Sequence, residues 1–389
     1  MRFLIVDAVY PSFLKNFYSR FPGYGELSYR DGQSLLMNEC VGIADGYSAG
    51  LKELGHQAEE VIINDQLLQM RWALENGLPV RGRRSLLNSV KDLLKKGLGR
   101  NIYGSLKQFA PDRLKASAAD PWMLKVLFGQ VKKYRPDVLL IHTVKEVNEG
   151  FLKLLRPYVK LIIGQHASPL VPGMDFGPYD LMLSSLPNYV ELFRREGKRS
   201  QYFRLGFNDK VLGSLRHLPG APFVVHIGGY GEAHNERNNF LEKVAKGTRV
   251  DFWGFGTENL DKKSAILGSY HGQAWGLERL NIFYSAKIVL TKHAYFAGNF
   301  ANNMTLYEAT GSGALLIADN KDNINDLFEV GKEIAVYNNP QECLELIKYY
   351  LSHEEERAAI ALAGQKRTLK EHTYGRRMKE LLGIVNKYI

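Results

Sequence analysis

The sequence predicts an α/β chain built as two halves, each with a parallel sheet. Three observations point there. Short apolar runs alternate with helical patterns along the whole length, and the runs lack the in–out alternation of a sheet with one wet face. The pattern also breaks once, at 205–222, and then restarts. Apolar strands joined by helices belong to sheets covered on both faces. A chain of 389 residues leaves room for about two domains. Its 45% hydrophobic and 24% charged content is that of an ordered globular protein.

In the first half the runs 2–6, 59–63, 138–142, 160–164, 181–184 and 201–204 read as strands. Helical spacing covers 35–54 and 122–134. Gly55 stops the first of these helices, and Arg135-Pro136-Asp137 turns the chain into the buried run that follows. The break at 205–222 holds Gly206, Gly213, Pro219, Gly220 and Pro222, as a linker would. Beyond it, strands are expected at 223–227, 249–253, 288–291, 314–318 and 333–336, and amphipathic helices at 354–370 and 375–388. The reading is two Rossmann-like domains facing each other across a cleft: 1–206, 207–370, and a last helix, 371–389, crossing back to the first. Ligands of such sheets sit beyond the carboxyl ends of the strands, so the cleft is the expected site.

Composition removes several classes. No run approaches the ~18–20 apolar residues that span a bilayer, and Met1–Asp7 reads as a buried strand rather than a leader. Cys40 and Cys343 are too few and too far apart for a disulfide framework or metal cluster, which makes a reducing, cytoplasmic setting the expectation. No G-x-G-x-x-G follows Val6, which argues against a dinucleotide oxidoreductase. The net charge is +10, and +8 of it falls in 81–115, where ten Lys and Arg face two Asp. Leucines at helical spacing there suit a core-facing helix with a basic back, or one lying at the inner face of an anionic membrane. No recognition motif accompanies the charge, so nucleic acid is not an expected partner.

The chemistry concentrates at 302–319, which reads as a polar loop, a short helix with one carboxylate, a Gly-Ser-Gly stop and a buried strand. A helix start offers free N–H groups and a favourable dipole to a diphosphate. Asn302, Asn303 and Thr305 are candidate contacts there, or ordinary cap residues. Glu308 could accept hydrogen bonds from the vicinal hydroxyls of a ribose. Gly228 and Gly229 let backbone approach a phosphate, Arg237 could clamp it, and Lys292 closes a strand end facing the cleft. In the first half, His166 past one strand, and Asp7 and Asp31 around the first, are candidate bases for deprotonating an acceptor hydroxyl. Trp253 and Trp275 could flank a nucleobase or simply pack. No Asp-x-Asp motif is evident, so neither a metal nor any other cofactor is expected.

From Val224 onward the chain resembles the CgeB-like (spore maturation protein) glycosyltransferases of the GT-B fold. The resemblance rests on V-V-H-I-G-G-Y-G at 224–231, Y-H-G-Q-A-W-G-L-E at 270–278, N-N-M-T-L-Y-E-A-T-G-S-G-A-L-L at 302–316, L-F-E-V-G-K-E at 327–333 and R-T-L-K-E-H-T-Y at 367–374. It implies a nucleoside diphosphate sugar as donor, bound in the second domain, and a glycan, lipid-linked intermediate or protein as acceptor. Retaining GT-B enzymes carry two glutamates separated by seven residues. Glu308 matches the second, whereas Phe300 stands at the place of the first. A nucleotide-sugar 2-epimerase on the same frame and a non-catalytic sugar-nucleotide-binding module are the alternatives.

Overall fold

The structure, a computed structural model, describes residues 1–79, 120–170, 174–231 and 234–389. The basic segment 81–115 lies outside the described residues.

All the expected strands form. In the first half β1 (Arg2–Asp7), β2 (Gln57–Ile62), β3 (Val138–Ile141), β4 (Leu161–Gln165), β5 (Leu181–Ser184) and β6 (Ser200–Tyr202) make one sheet in the order β2-β1-β3-β4-β5-β6. In the second, β7 (Val224–Gly229), β8 (Asp251–Phe255), β9 (Ile288–Thr291), β10 (Leu315–Asp319) and β11 (Ala335–Tyr337) are ordered β11-β10-β9-β7-β8. Every pairing is parallel. The central strands β3, β4, β5, β9 and β10 are buried at every position, which is why their sequences run apolar instead of alternating. Helix starts follow local capping chemistry. Asn148, Asn303 and Asn339 accept from the amides of Phe151, Leu306 and Glu342.

The single helix expected at 35–54 is two helices, Tyr29–Met37 and Gly46–Glu53, with a loop between. Cys40, Gly42 and Ala44 take positive φ (56°, 66° and 49°), which no helix accommodates. Tertiary contact holds the loop in that shape, because the Glu39 carbonyl accepts the Leu277 amide of the second domain at 3.0 Å. Gly276 (φ 50°) lies so close that a Cβ there would stand 1.7 Å from the Glu39 oxygen. Gly276→Ala is therefore expected to separate the domains locally and cost about 2–3 kcal/mol. An unchanged thermal midpoint in that variant would refute the contact.

The domains meet at three further places. Phe296, Ala297 and Phe300, in the loop between β9 and the helix Met304–Gly311, pack into the first domain's core beside Ala8 and Ala167. Tyr10 and Phe13 touch Trp275. At the hinge the backbone of Phe207 bonds to both sides of Thr373 across the two chain crossings (Phe207 N to His372 O, 2.8 Å; Tyr374 N to Phe207 O, 3.0 Å). Arg377, with no exposed surface, fixes this crossing by donating to the carbonyls of Leu205 and Glu371, each at 2.9 Å. The last helix, Tyr374–Val385, then packs on Gly46–Glu53; at Gly50 a Cβ would meet the Met378 side chain at 2.8 Å.

Candidate functional site

The carboxyl ends of both sheets face the cleft, and the charged residues gather there. On the second domain, β7 ends in Gly228 and Gly229. A Cβ at Gly228 would crowd His226 Nε2 at 2.9 Å, and one at Gly229 would meet the Phe255 ring at 3.1 Å. The missing side chains let Arg237, on the helix Asn235–Gly247, close onto this turn and donate to the Gly229 carbonyl. Arg237 Nε has no partner, and no carboxylate reaches the guanidinium among the described residues. Burial pulls its pKa down to about 10, so it stays cationic near neutrality. A half-buried guanidinium with no carboxylate in contact, and only Asp319 acting on it at longer range, favours an anion beside it.

Glu308 sits inside the helix Met304–Gly311 on the wall of a cavity it shares with Met304, Leu280, Cys40 and Ala44, which come from both domains. Arg279, from the helix Gly276–Ser285, donates through Nε to Glu308 Oε2 at 2.8 Å. Its NH2 group donates to Thr305 Oγ1, also at 2.8 Å. The fork holds the carboxylate by one oxygen; Oε1 has no hydrogen-bond partner among the described residues. Asn303 takes the cap role, with Oδ1 on the Leu306 amide (2.9 Å) and Nδ2 on Thr291 Oγ1 (3.2 Å). Thr305 serves Arg279 through its hydroxyl, while the Oδ1 of Asn302 is buried without a partner. The Met304 and Thr305 amides have no acceptor among the described residues, as expected of the first N–H groups of a helix.

Lys292 is drawn into its own domain, between Glu236 (3.4 Å) and Asp319 (3.9 Å). Asp319 also accepts from His293 Nδ1 at 2.6 Å. Burial raises the Asp319 pKa, but the His293 hydrogen bond and charge, with Lys321, outweigh it and hold the carboxyl at about 2.

On the first domain, Asp7 closes β1. One oxygen accepts the Ala8 amide at 2.7 Å and the other lies 3.3 Å from His142 Nδ1. Asp7 lines a second cavity with Val9, Phe13 and Ala44. His166 is buried past β4, parallel to the Tyr189 ring at 6.1 Å. Burial, helped by Lys145, lowers its pKa to about 4. Asp31 is drawn elsewhere: its carboxylate accepts the Ser28 hydroxyl at 2.7 Å in the exposed first turn of Tyr29–Met37 and lines neither cavity. An acidic side chain is stabilised at a helix start by the dipole, which accounts for its position without chemistry.

Sequence reasoning missed Arg279 and His142. Arg279 follows directly on the segment 270–278 and lies four residues past Trp275, so it was legible only as a surface cation. His142 was read as the end of a strand. Phe300, at the place where the resemblance expects a carboxylate, supplies apolar contact between domains. Among the described residues no group of three or more His, Cys, Asp or Glu could hold a metal ion. No helix there is long and apolar enough to cross a membrane.

Two parallel-sheet domains facing each other in this way have the GT-B type of fold. Solved structures agree. Anabaena HepE in complex with UDP and glucose superposes over 100% of both chains at 13% identity and a TM-score of 0.59. Sucrose-phosphate synthase from Thermosynechococcus elongatus does so over 100% of this chain and 99% of its own, at 11% identity and 0.57. A putative UDP-N-acetylglucosamine 2-epimerase from Listeria monocytogenes matches over 99% and 95%, at 13% and 0.52. At these identities the shared property is the fold. Residues 210–383 match the family described as Glycosyl transferase-like. No curated protein matches the chain.

Proposed function

We propose that the protein transfers a glycosyl group from a nucleoside diphosphate sugar to a hydroxyl acceptor. The observation that carries this is Arg237, a cation lacking a carboxylate partner. It stands at the end of β7, where Arg279 also reaches the Ile227 carbonyl while holding Glu308 by one oxygen. The diphosphate would lie between Arg237, the turn Gly228–Gly229 and the free amides of Met304 and Thr305, with the ribose hydroxyls on Glu308 Oε1. When the bond from the sugar's anomeric carbon to the phosphate oxygen breaks, its electron pair leaves with the diphosphate. Fixed donors that meet that growing charge lower the barrier. The acceptor oxygen forms the new bond and gives up its proton.

Asp7 is our choice for the proton acceptor, since it lines the cleft and His142 orients it. His166, held neutral by burial and weakly basic, is better suited to accepting a hydrogen bond from a sugar hydroxyl. Asp31 takes no part in this reading. Arg237 and the helix start supply the charge that a metal would otherwise provide, so no cofactor is invoked. HepE was captured with UDP-glucose, which makes uridine nucleotides the first donors to try. Glycan, lipid-linked and protein acceptors all fit the proposal. The motif order across 224–374 supports membership of the CgeB-like group; a profile of such proteins that failed to extend over 1–206 would remove it.

The test is a thermal-shift screen of nucleoside diphosphates on the wild type and Glu308→Ala. A bound ligand at a hundredfold excess over its Kd adds about 2.7 kcal/mol of stability. That gain should vanish in Glu308→Ala while its circular dichroism is preserved, and equal stabilisation of both proteins would end the ribose assignment. Because a putative 2-epimerase shares the fold, products must also be analysed without acceptor: free donor converted to its epimer would replace transfer by isomerisation.

A further inference from the structure

The loop after β1 carries Tyr10 across the cleft. Its ring contacts Phe255, at the end of β8, with centroids 5.2 Å apart, and Trp275, before the helix Gly276–Ser285, at 5.3 Å. Phe255 and Trp275 themselves stack at 5.4 Å with an interplanar angle of 14°. One aromatic surface is thus assembled from both domains. Tyr10 remains 54% exposed despite its two aromatic neighbours, so one side of the surface is open to solvent. The Tyr10 hydroxyl feels the charges of Arg279, Glu308, Asp7 and Arg237, the groups gathered at the strand ends of the two sheets. The ring therefore bridges an aromatic platform and the polar floor.

We propose that Tyr10 is a donor-binding residue of the first domain, its ring extending the Phe255–Trp275 platform under the nucleobase and its hydroxyl reaching the ribose and diphosphate. The inference rests on the donor assignment made above and adds to it that nucleotide capture needs both domains. Every nucleobase has a π-face, so the platform recognises the base by stacking and tolerates different bases. Tyr10 also follows directly on the strand that ends in Asp7. Donor capture and the placing of the proton acceptor are thereby linked through Ala8 and Val9.

The experiment titrates the full chain with UDP, GDP and ADP separately, following tryptophan emission and calorimetry, for wild type, Tyr10→Phe, Tyr10→Ala and Tyr10→Leu. Removing a stacked aromatic should weaken the tightest nucleotide roughly tenfold or more in Tyr10→Ala and Tyr10→Leu. Tyr10→Phe should keep most of the affinity. Leucine fills the same apolar contact without a π-face, so a loss in both variants separates stacking from packing, and unliganded thermal midpoints equal to wild type show the fold is intact. Binding by Tyr10→Ala as tight as wild type, or tighter, overturns the proposal and leaves the donor site standing. A wild type that binds none of the three nucleotides overturns the donor assignment itself, and this inference with it.

Discussion

Arg279→Ala should lower kcat/KM for transfer by two to three orders of magnitude, with most of the loss in the donor KM. Arg279 binds three elements together: Glu308 and Thr305 on one helix, its own helix, and the Ile227 carbonyl of β7 at 3.4 Å. Its guanidinium also lies 4.9 Å from the centre of the Phe283 ring. Without it Glu308 keeps its charge but loses the fork that selects its rotamer, and a ribose contact loosened by about 1 Å costs on the order of a hundredfold. A second loss comes from the positive potential shared with Arg237 at the diphosphate. Arg279→Lys retains charge without the planar fork, so it should fall between the two. As a positioning residue, Arg279 should couple to Glu308 in a double-mutant cycle: once Glu308→Ala is in place, adding Arg279→Ala should cost much less than it does alone. Independent, additive losses, or a wild-type donor KM in Arg279→Ala, would refute the arrangement.

What the sequence made legible follows from range. Strand runs such as 138–141 and 315–318 are apolar at every position because both faces of the sheet are covered, and that signal is local. The cap at Asn303 and the glycines at 228–229 are likewise written within a few residues. The loop at 38–45 was not legible, since its left-handed turns are held by Leu277 and Gly276, more than two hundred positions away. Arg279 was missed for the same reason. Its partners, Glu308 and Thr305, are set by the packing of two helices that share no sequence pattern. Asp31 shows the converse case. A carboxylate in the loop that follows the first strand lies in space in the first turn of a helix capped by Ser28, whose hydroxyl donates to it.

Acid should destabilise the protein from about pH 6.5 downward, where its buried histidines resist protonation. Three histidines are buried and held neutral: His226 and His372 at about 3, and His166 at about 4, with burial the leading cause in each. His372 shows why. Its Nε2 donates to the Leu327 carbonyl at 2.9 Å and its Nδ1 accepts from Arg377 at 2.9 Å, so a second ring proton would face a guanidinium. The folded-state values lie below the ~6.5 of an unfolded histidine, so the unfolded chain binds these protons first as the pH falls. Stability is complete above about 6.5 and drains below it, by ~1.4 kcal/mol per pH unit for each histidine. Glu60 and Asp65 act in the opposite sense. Burial raises both carboxyls, so the folded state gains relative stability when they protonate. They offset part of the histidine loss between pH 7 and 5, in a fold whose whole stability is typically ~5–15 kcal/mol. Urea unfolding at half-unit pH intervals reads this directly. His372→Gln, which can still donate to Leu327 and accept from Arg377, should flatten the slope by one histidine's share. A slope in His372→Gln equal to that of the wild type would mean that this ring is solvated in the folded chain.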